Sequence, residues 1–380
     1  MYKVMNTDHL SENAQLAMDT ILRKPTKGIP SADVHIMEHG VIEQLAGAEP
    51  GDYKKNPEQT YCAMQRAIGE CMIDQYIPRN PLKFDNEGCT EVMEHSKDII
   101  VDGMVIDSPE AVVEHMERFD FPDFKQQIAD FDPEKRRKEM LDYENECKAD
   151  LEPEILNCAG GHFDVRFPLF HYGKYGYENY FMAYALYPEM MEKYFSLAAD
   201  LYTLNNEALA PLFEQGVFPP YLRVGQDMAD SSGMLMSIES IDKLWFPHYV
   251  RCMEPIIKTG IRMLWHCDGN LNDMLPRLLD IGFSGFQGFQ YEDGMDYEKI
   301  CKMKPKDGGD LIIIGGVSVT RTLPNGTPDD IRKEMKWLVD NGPKTGLFLA
   351  GSSSIAPGVP WENIEAFVEG LKYYREHGRG

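Results

Sequence analysis

Long apolar runs are missing from this chain: nowhere do about eighteen apolar residues stand together, so no segment reads as a transmembrane helix. Basic residues are scarce. Against 62 Asp and Glu there are 38 Lys and Arg, a formal charge of −24, which argues against partners that need a basic surface, nucleic acid and anionic lipid above all. The eight cysteines form no Cys-x-x-Cys pair, which in such a chain points to reduced thiols that mostly fill the core. No strand-like run leads into Gly-x-Gly-x-x-Gly, so dinucleotide binding has no support. The start, MYKVMNTDHLSENAQLAMD, lacks the charged-then-apolar form of a secretion signal. These absences lead us to expect a cytoplasmic protein with neither membrane nor nucleic-acid partners.

What is present is a rhythm. From about residue 221 short apolar strands alternate with amphipathic helices: YLRVGQD, IRMLWHCD, SGFQGFQ, LIIIGGVS and GLFLAGSSS each precede a helical pattern. Thr327-Pro328-Asp329-Asp330 supplies a helix start, with a cap residue ahead of Pro in the first turn. Five such units imply a parallel sheet, because parallel strands need crossover helices. IPSADVHI, ECMIDQYI and EILNCAGG in the first half can supply three more strands. The expectation is one α/β domain over residues 1–380, a (β/α)8 TIM barrel with an N-terminal helical extension. Residues 80–150 are read as an excursion, a hairpin (GCTEVMEHSKDIIVDGMVIDS) followed by a charged surface helix.

In such a barrel the active site lies at the carboxyl ends of the strands. Those ends carry His35, Glu38 and His39, then Asn157 and His162, then Asp227. Next come His266 and Asp268, Gln287 and Gln290, Gly316 and Ser318, and Ser352 to Ser354. His266 and Asp268, two apart in WHCDGN, point to the same side of a strand, and Cys267 points to the other. The pair could bind a metal, act as acid and base, or close the strand-to-helix turn. Asn270 suits a helix cap or a ligand contact, and Asp296 a cap.

The order of GQDMADSSGMLMSIESIDKLWFPHYVRCMEPIIKTGIRMLWHCDGN, GFQGFQYEDGMDYEKI, GGVSVTRTLPNGTPDDIRKEM and VPWENIEAFVEGLKYY resembles the uroporphyrinogen decarboxylase superfamily, well over residues 155–375 and loosely before them. The resemblance implies a barrel with its site in the mouth and commonly a homodimer. It offers three chemistries. Decarboxylases of a polycarboxylated porphyrinogen use an arginine-rich segment after the first strand; here HIMEHGVIEQLAG has no arginine and two glutamates. Zinc-dependent methylcorrinoid:thiol methyltransferases carry His-x-Cys at the fifth strand and a Cys at the eighth; here Asp268 replaces the first thiolate and GSSSI offers no second. The HxDGN form and the following GMD look most like corrinoid-dependent O-demethylase methyltransferases. These move a methyl group from a methoxylated aromatic, or another small methyl donor, to the cob(I)alamin of a separate corrinoid protein.

That chemistry needs a proton donor or Lewis acid at the leaving oxygen. The resemblance makes His266, Asp268 and Asp227 the catalytic candidates, with His35, Glu38, Gln287, Gln290, Tyr291, Asn270 and Ser352 as substrate contacts. His266 and Asp268 could instead hold a metal, zinc included, with Asp227, Glu38 or His35 as third ligand. Tyr172, Tyr175, Tyr177, Tyr291, Phe286 and Phe289 are candidates to stack on a ring, with Met234 and Met236 beside them.

Overall fold

The computed structural model describes residues 2–79, 99–160, 164–288 and 290–379. Its strands in chain order are β1 (Met72–Ile73), β2 (Ile99–Val101), β3 (Met104–Ile106), β4 (Leu156–Asn157), β5 (Tyr221–Gly225) and β6 (Ala229–Asp230). They continue with β7 (Gly233–Met234), β8 (Arg262–His266), β9 (Gly285–Gln287), β10 (Ile312–Val317) and β11 (Leu347–Gly351). β5, β8, β9, β10 and β11 form one parallel sheet in that spatial order. Parallel bridges carry the pairing further, from Leu349 to Ser31, from Ala32 to Met72, and from β1 to β4. All eight strand segments expected from the sequence thus follow one another in parallel. Among the described residues no backbone ladder joins β4 to β5, so the structure shows an α/β fold with a parallel sheet and not a continuous hydrogen-bonded ring.

The pleat sorts the side chains. Ala32, Met72, Leu156, Tyr221, Leu264, Ile312, Ile314, Phe348 and Ala350 share one buried cluster inside the curved sheet. Helix Glu12–Ile21 seals that cluster from the amino ends of the strands with Ala14, Ala17, Met18 and Ile21, and Ser11 Oγ caps its first turn. Alternate residues, such as Trp265, Phe286 and Ile313, face outward into the helix-packed core. The Thr327 cap is a full capping box with Asp330, which starts helix Pro328–Asn341.

Two expectations need adjustment. The helix after WHCDGN begins only at Leu275, because Leu271–Met274 is a turn. The charged helix of the excursion, Pro133–Leu151, is not purely a surface element: Met140, Glu144, Cys147 and Leu151 are buried. The described part of the excursion hairpin is the antiparallel pair β2–β3; its earlier residues lie outside the described ones. Among the described residues no helix is long and apolar enough to cross a membrane.

Candidate functional site

Inward-facing residues change from apolar to polar towards the carboxyl ends of the strands. There Asp33, His35, Gln75, Arg223, His266, Gln287, Ser353 and Ser354 wall a cavity of about 190 Å³. It has a floor and a rim of different character.

The floor is built on Arg223, a charge inside the buried strand β5. Its Nε donates to Asp74 Oδ2 at 2.8 Å and Oδ1 at 3.1 Å, and Nη2 donates to Asp74 and to Asp33 Oδ2 at 3.3 Å. Nη1 donates to Gln287 Oε1 at 3.2 Å, and Tyr221 Oη donates to Asp74 Oδ2 at 2.7 Å. Asp33 Oδ1 accepts the backbone N–H groups of Asp74 and Gln75 at 3.0 and 3.4 Å. Asp33 holds a left-handed backbone, φ 53°, which a non-glycine residue adopts only where its surroundings impose it.

One guanidinium cannot neutralise two buried carboxylates, so the pair divides. Burial and the neighbouring Asp74 carboxylate push Asp33 up to about 8. For Asp74 burial works the same way, but Arg223 outweighs it and holds the group down to about 2. His35 is depressed to about 4 by burial and by Arg223, so it is a neutral imidazole at physiological pH. It lies 3.7 Å from Asp33 Oδ1, with Tyr61 Oη at 3.5 Å from its Nδ1.

At the rim, Asp227, His266 and Asp268 each present a ligand atom, and these atoms lie within 4.8 Å of one another. His266 Nδ1 donates to Gln287 Oε1, the oxygen that also accepts from Arg223; this fixes the tautomer that ligates through Nε2. Asp268 N donates to Asp227 Oδ1 at 2.9 Å, and Ser353 Oγ donates to Asp268 Oδ2 at 3.2 Å. Among the described residues Asp268 Oδ1 is buried without a hydrogen-bond partner, as a carboxylate oxygen reserved for a cation would be. Burial raises the Asp268 pKa, against the pull of His266. Two carboxylates and an imidazole are a fitting donor set for a divalent ion such as zinc. Gly288, at φ 88°, is the one residue type that fits beside the ring: a Cβ there would stand 3.0 Å from His266 Nδ1 and 2.7 Å from Cys267 O.

The remaining candidates lie elsewhere. Gln290 Oε1 accepts from Gly269 N at 2.6 Å, Glu38 Oε2 from Gly358 N at 2.8 Å, and Ser352 Oγ from Val319 N at 3.1 Å. Asn270 Oδ1 accepts from Asn272, so it braces a loop and does not cap the next helix, whose N-cap is Met274. Asp296 caps helix Tyr297–Ile300. Tyr291 rests edge-on against Trp337, and His39 against Tyr53. None of these forms part of the cavity wall. Tyr175 and Phe286 are core residues and Tyr177 is exposed, while Tyr172 Oη donates to Asp227 O at 2.8 Å. His162 and Phe289 lie outside the described residues. Cys267 faces the core, where burial pushes its thiol up to about 12.

Four wall or floor residues, Asp33, Asp74, Gln75 and Arg223, were not sequence candidates. The available signal was Arg223 itself: an arginine within an apolar strand requires buried counter-charges.

Three comparisons bear on descent. A methyltransferase from Methanosarcina mazei superposes over 95% of this chain and 98% of its own, with a TM-score of 0.54 and 16% identity, which marks a shared fold. No protein of curated function matches the sequence. The family model described as uroporphyrinogen decarboxylase (URO-D) matches residues 173–374, more than half of the chain, and takes in Arg223, Asp227, His266, Asp268 and Gln287. Fold, order of strands and this match agree: the chain belongs to the uroporphyrinogen decarboxylase family.

Proposed function

We propose that the chain is a methyltransferase that takes a methyl group from a methoxylated aromatic or another small methyl donor and passes it to the cob(I)alamin of a separate corrinoid protein. One arrangement carries this reading: Asp33, whose carboxyl burial and Asp74 push up to about 8, shares a cavity wall with His266 of a three-residue group suited to hold a cation. Demethylation is limited by its leaving group, and a neutral acid beside a Lewis-acid site is the equipment that problem needs.

The corrinoid would supply a reduced cobalt whose electron pair forms the new bond to the methyl carbon, and a zinc ion held by Asp227, His266 and Asp268 would polarise the leaving atom. As the old bond breaks, its electron pair stays on the donor oxygen or nitrogen. Asp33 gives that atom a proton. Because Asp33 Oδ1 is occupied by two backbone donors, the proton resides on Oδ2. Arg223, 3.3 Å from that oxygen, then stabilises the carboxylate left behind. Neutral His35 cannot compete as an acid at this pH.

The test is methylcobalamin formation, read by absorbance, from cob(I)alamin, purified protein and a panel of methyl donors. Turnover that needs both His266 and Asp33 supports the reading. Carbon dioxide release from uroporphyrinogen, with no methyl transfer from any donor, would replace it with a decarboxylase.

A further inference from the structure

The wall of the site is polar throughout among the described residues, and its one arginine is already bonded. Among the described residues Arg223 is the only Lys or Arg of the wall, and it sits in the buried floor. Its Nε, Nη1 and Nη2 all donate to Asp74, Asp33 and Gln287. At the rim stand two further carboxylates, Asp227 exposed and Asp268 half-buried. With no ion there the rim is anionic. A divalent cation on both carboxylates brings it to neutrality, and the floor is unaffected. Among the described residues neither state offers an uncommitted Lys or Arg to a substrate carboxylate, and in the methyl-transfer reading the open position of a rim ion is taken by the donor's leaving atom. What the wall does offer is short polar groups, those of Gln75, Ser353, Ser354 and Gln287. The aromatic residues considered as ring platforms, Tyr175, Phe286 and Tyr291, are not part of it.

Building on the methyl-transfer reading, we propose that the methyl donor is a small uncharged molecule held by hydrogen bonds through an oxygen or nitrogen, and that the cavity rejects donors bearing a carboxylate. Methoxylated aryl acids are thereby excluded even though their methyl ether is chemically competent. The reason is electrostatic: in a cavity of about 190 Å³ a carboxylate gives up its hydration and meets, among the described residues, an arginine already bonded to Asp74, Asp33 and Gln287, with the Asp227 and Asp268 carboxylates at the mouth.

The experiment uses the full chain with and without added zinc, cob(I)alamin as acceptor, and methanol, methoxyphenol and methoxybenzoate as donors. We expect kcat/KM for methoxybenzoate to fall below that for methoxyphenol by about tenfold or more. Ser354→Arg, which adds an uncommitted cation to the wall, should raise the acid-to-phenol ratio by about tenfold. Equal or preferred use of methoxybenzoate by the unaltered protein overturns the proposal. If no donor transfers, the functional reading falls and the wall is judged by calorimetry alone. There, weaker binding of methoxybenzoate than of methoxyphenol by about tenfold upholds the selectivity, and equal or tighter binding ends it.

Discussion

The floor and the rim of this site hold the same kinds of residue, two aspartates and one nitrogen base each, yet they differ in how far those groups are satisfied. On the floor Asp33, Asp74 and Arg223 are deeply buried and bonded to one another, to Tyr221 and to Gln287. At the rim Asp268 keeps a buried oxygen with no partner among the described residues, and Asp227 stands open to solvent. A saturated network holds geometry and protons in place, whereas an unsaturated one is prepared for a ligand.

The largest break comes from removing the floor's cation. Arg223→Met leaves two carboxyl groups buried without their counter-charge, and urea denaturation should show a loss of about 3–5 kcal/mol. Replacing a rim carboxylate should cost far less stability, because Asp227 and the mouth are in contact with water. Equal destabilisation by Asp227→Asn and Arg223→Met would erase the distinction.

Next in size is the proton on Asp33. Asp33→Asn keeps the shape and removes the acid, so kcat should fall by about 10²-fold or more. Unaltered protein should lose activity as pH rises through about 8, where Asp33 gives up its proton. Stability follows the same proton. The folded pKa of Asp33 is raised, so its contribution is complete below the unfolded carboxylate value and is lost as pH climbs towards about 8. The folded pKa of His35 is depressed, so its contribution is present above the unfolded imidazole value and is lost as pH falls towards about 4. The two slopes oppose each other at mildly acid pH. Between about 6.5 and 8 the His35 slope is gone and Asp33 lowers stability as pH rises, together with Glu70, Glu144 and Glu334, whose carboxyls burial also raises. Asp33→Asn should make that decline shallower by the share that ends near pH 8; an unchanged slope in the variant assigns the decline to the other buried carboxyls.

This contrast also explains what could be read in advance. The rim was legible because local spacing carries it: His266 and Asp268 are two apart at a strand end, and Asp227 ends the preceding strand. Eight strand segments were legible from periodicity for the same reason. The floor was not, since its bonds join residues 149 and 190 positions apart, from Arg223 to Asp74 and to Asp33. No window of the sequence contains both ends. Gln290, Glu38 and Ser352 show the converse: each stands at a strand end as expected, but its side chain is turned to a loop amide.

A smaller effect tests the rim as a cation site. Asp268→Asn leaves a neutral amide in the half-buried position and removes one ligand charge, so zinc affinity should drop by about 10–100-fold in a competition assay with a chelating dye. Far-ultraviolet circular dichroism should be unchanged. If the variant binds zinc as tightly as the parent, Asp268 is not a ligand and its unpartnered oxygen has another cause.

The smallest effect belongs to the residue between His266 and Asp268. Cys267 shares the loop with His266 and Asp268, but a strand sends its neighbours to opposite faces. Its thiol lies in the core, within 3.4 Å of Met228 N and 3.0 Å of Asp268 O, and burial keeps it protonated far above neutral pH. A protonated thiol facing away from the cavity can neither ligate nor attack. Cys267→Ser should therefore cost about 1 kcal/mol in urea, the order of a slightly mismatched buried contact, while zinc stoichiometry and kcat/KM stay at parental values. Loss of zinc from this variant, with its stability intact, would bring the thiolate back into the site and reopen thiol activation as its chemistry.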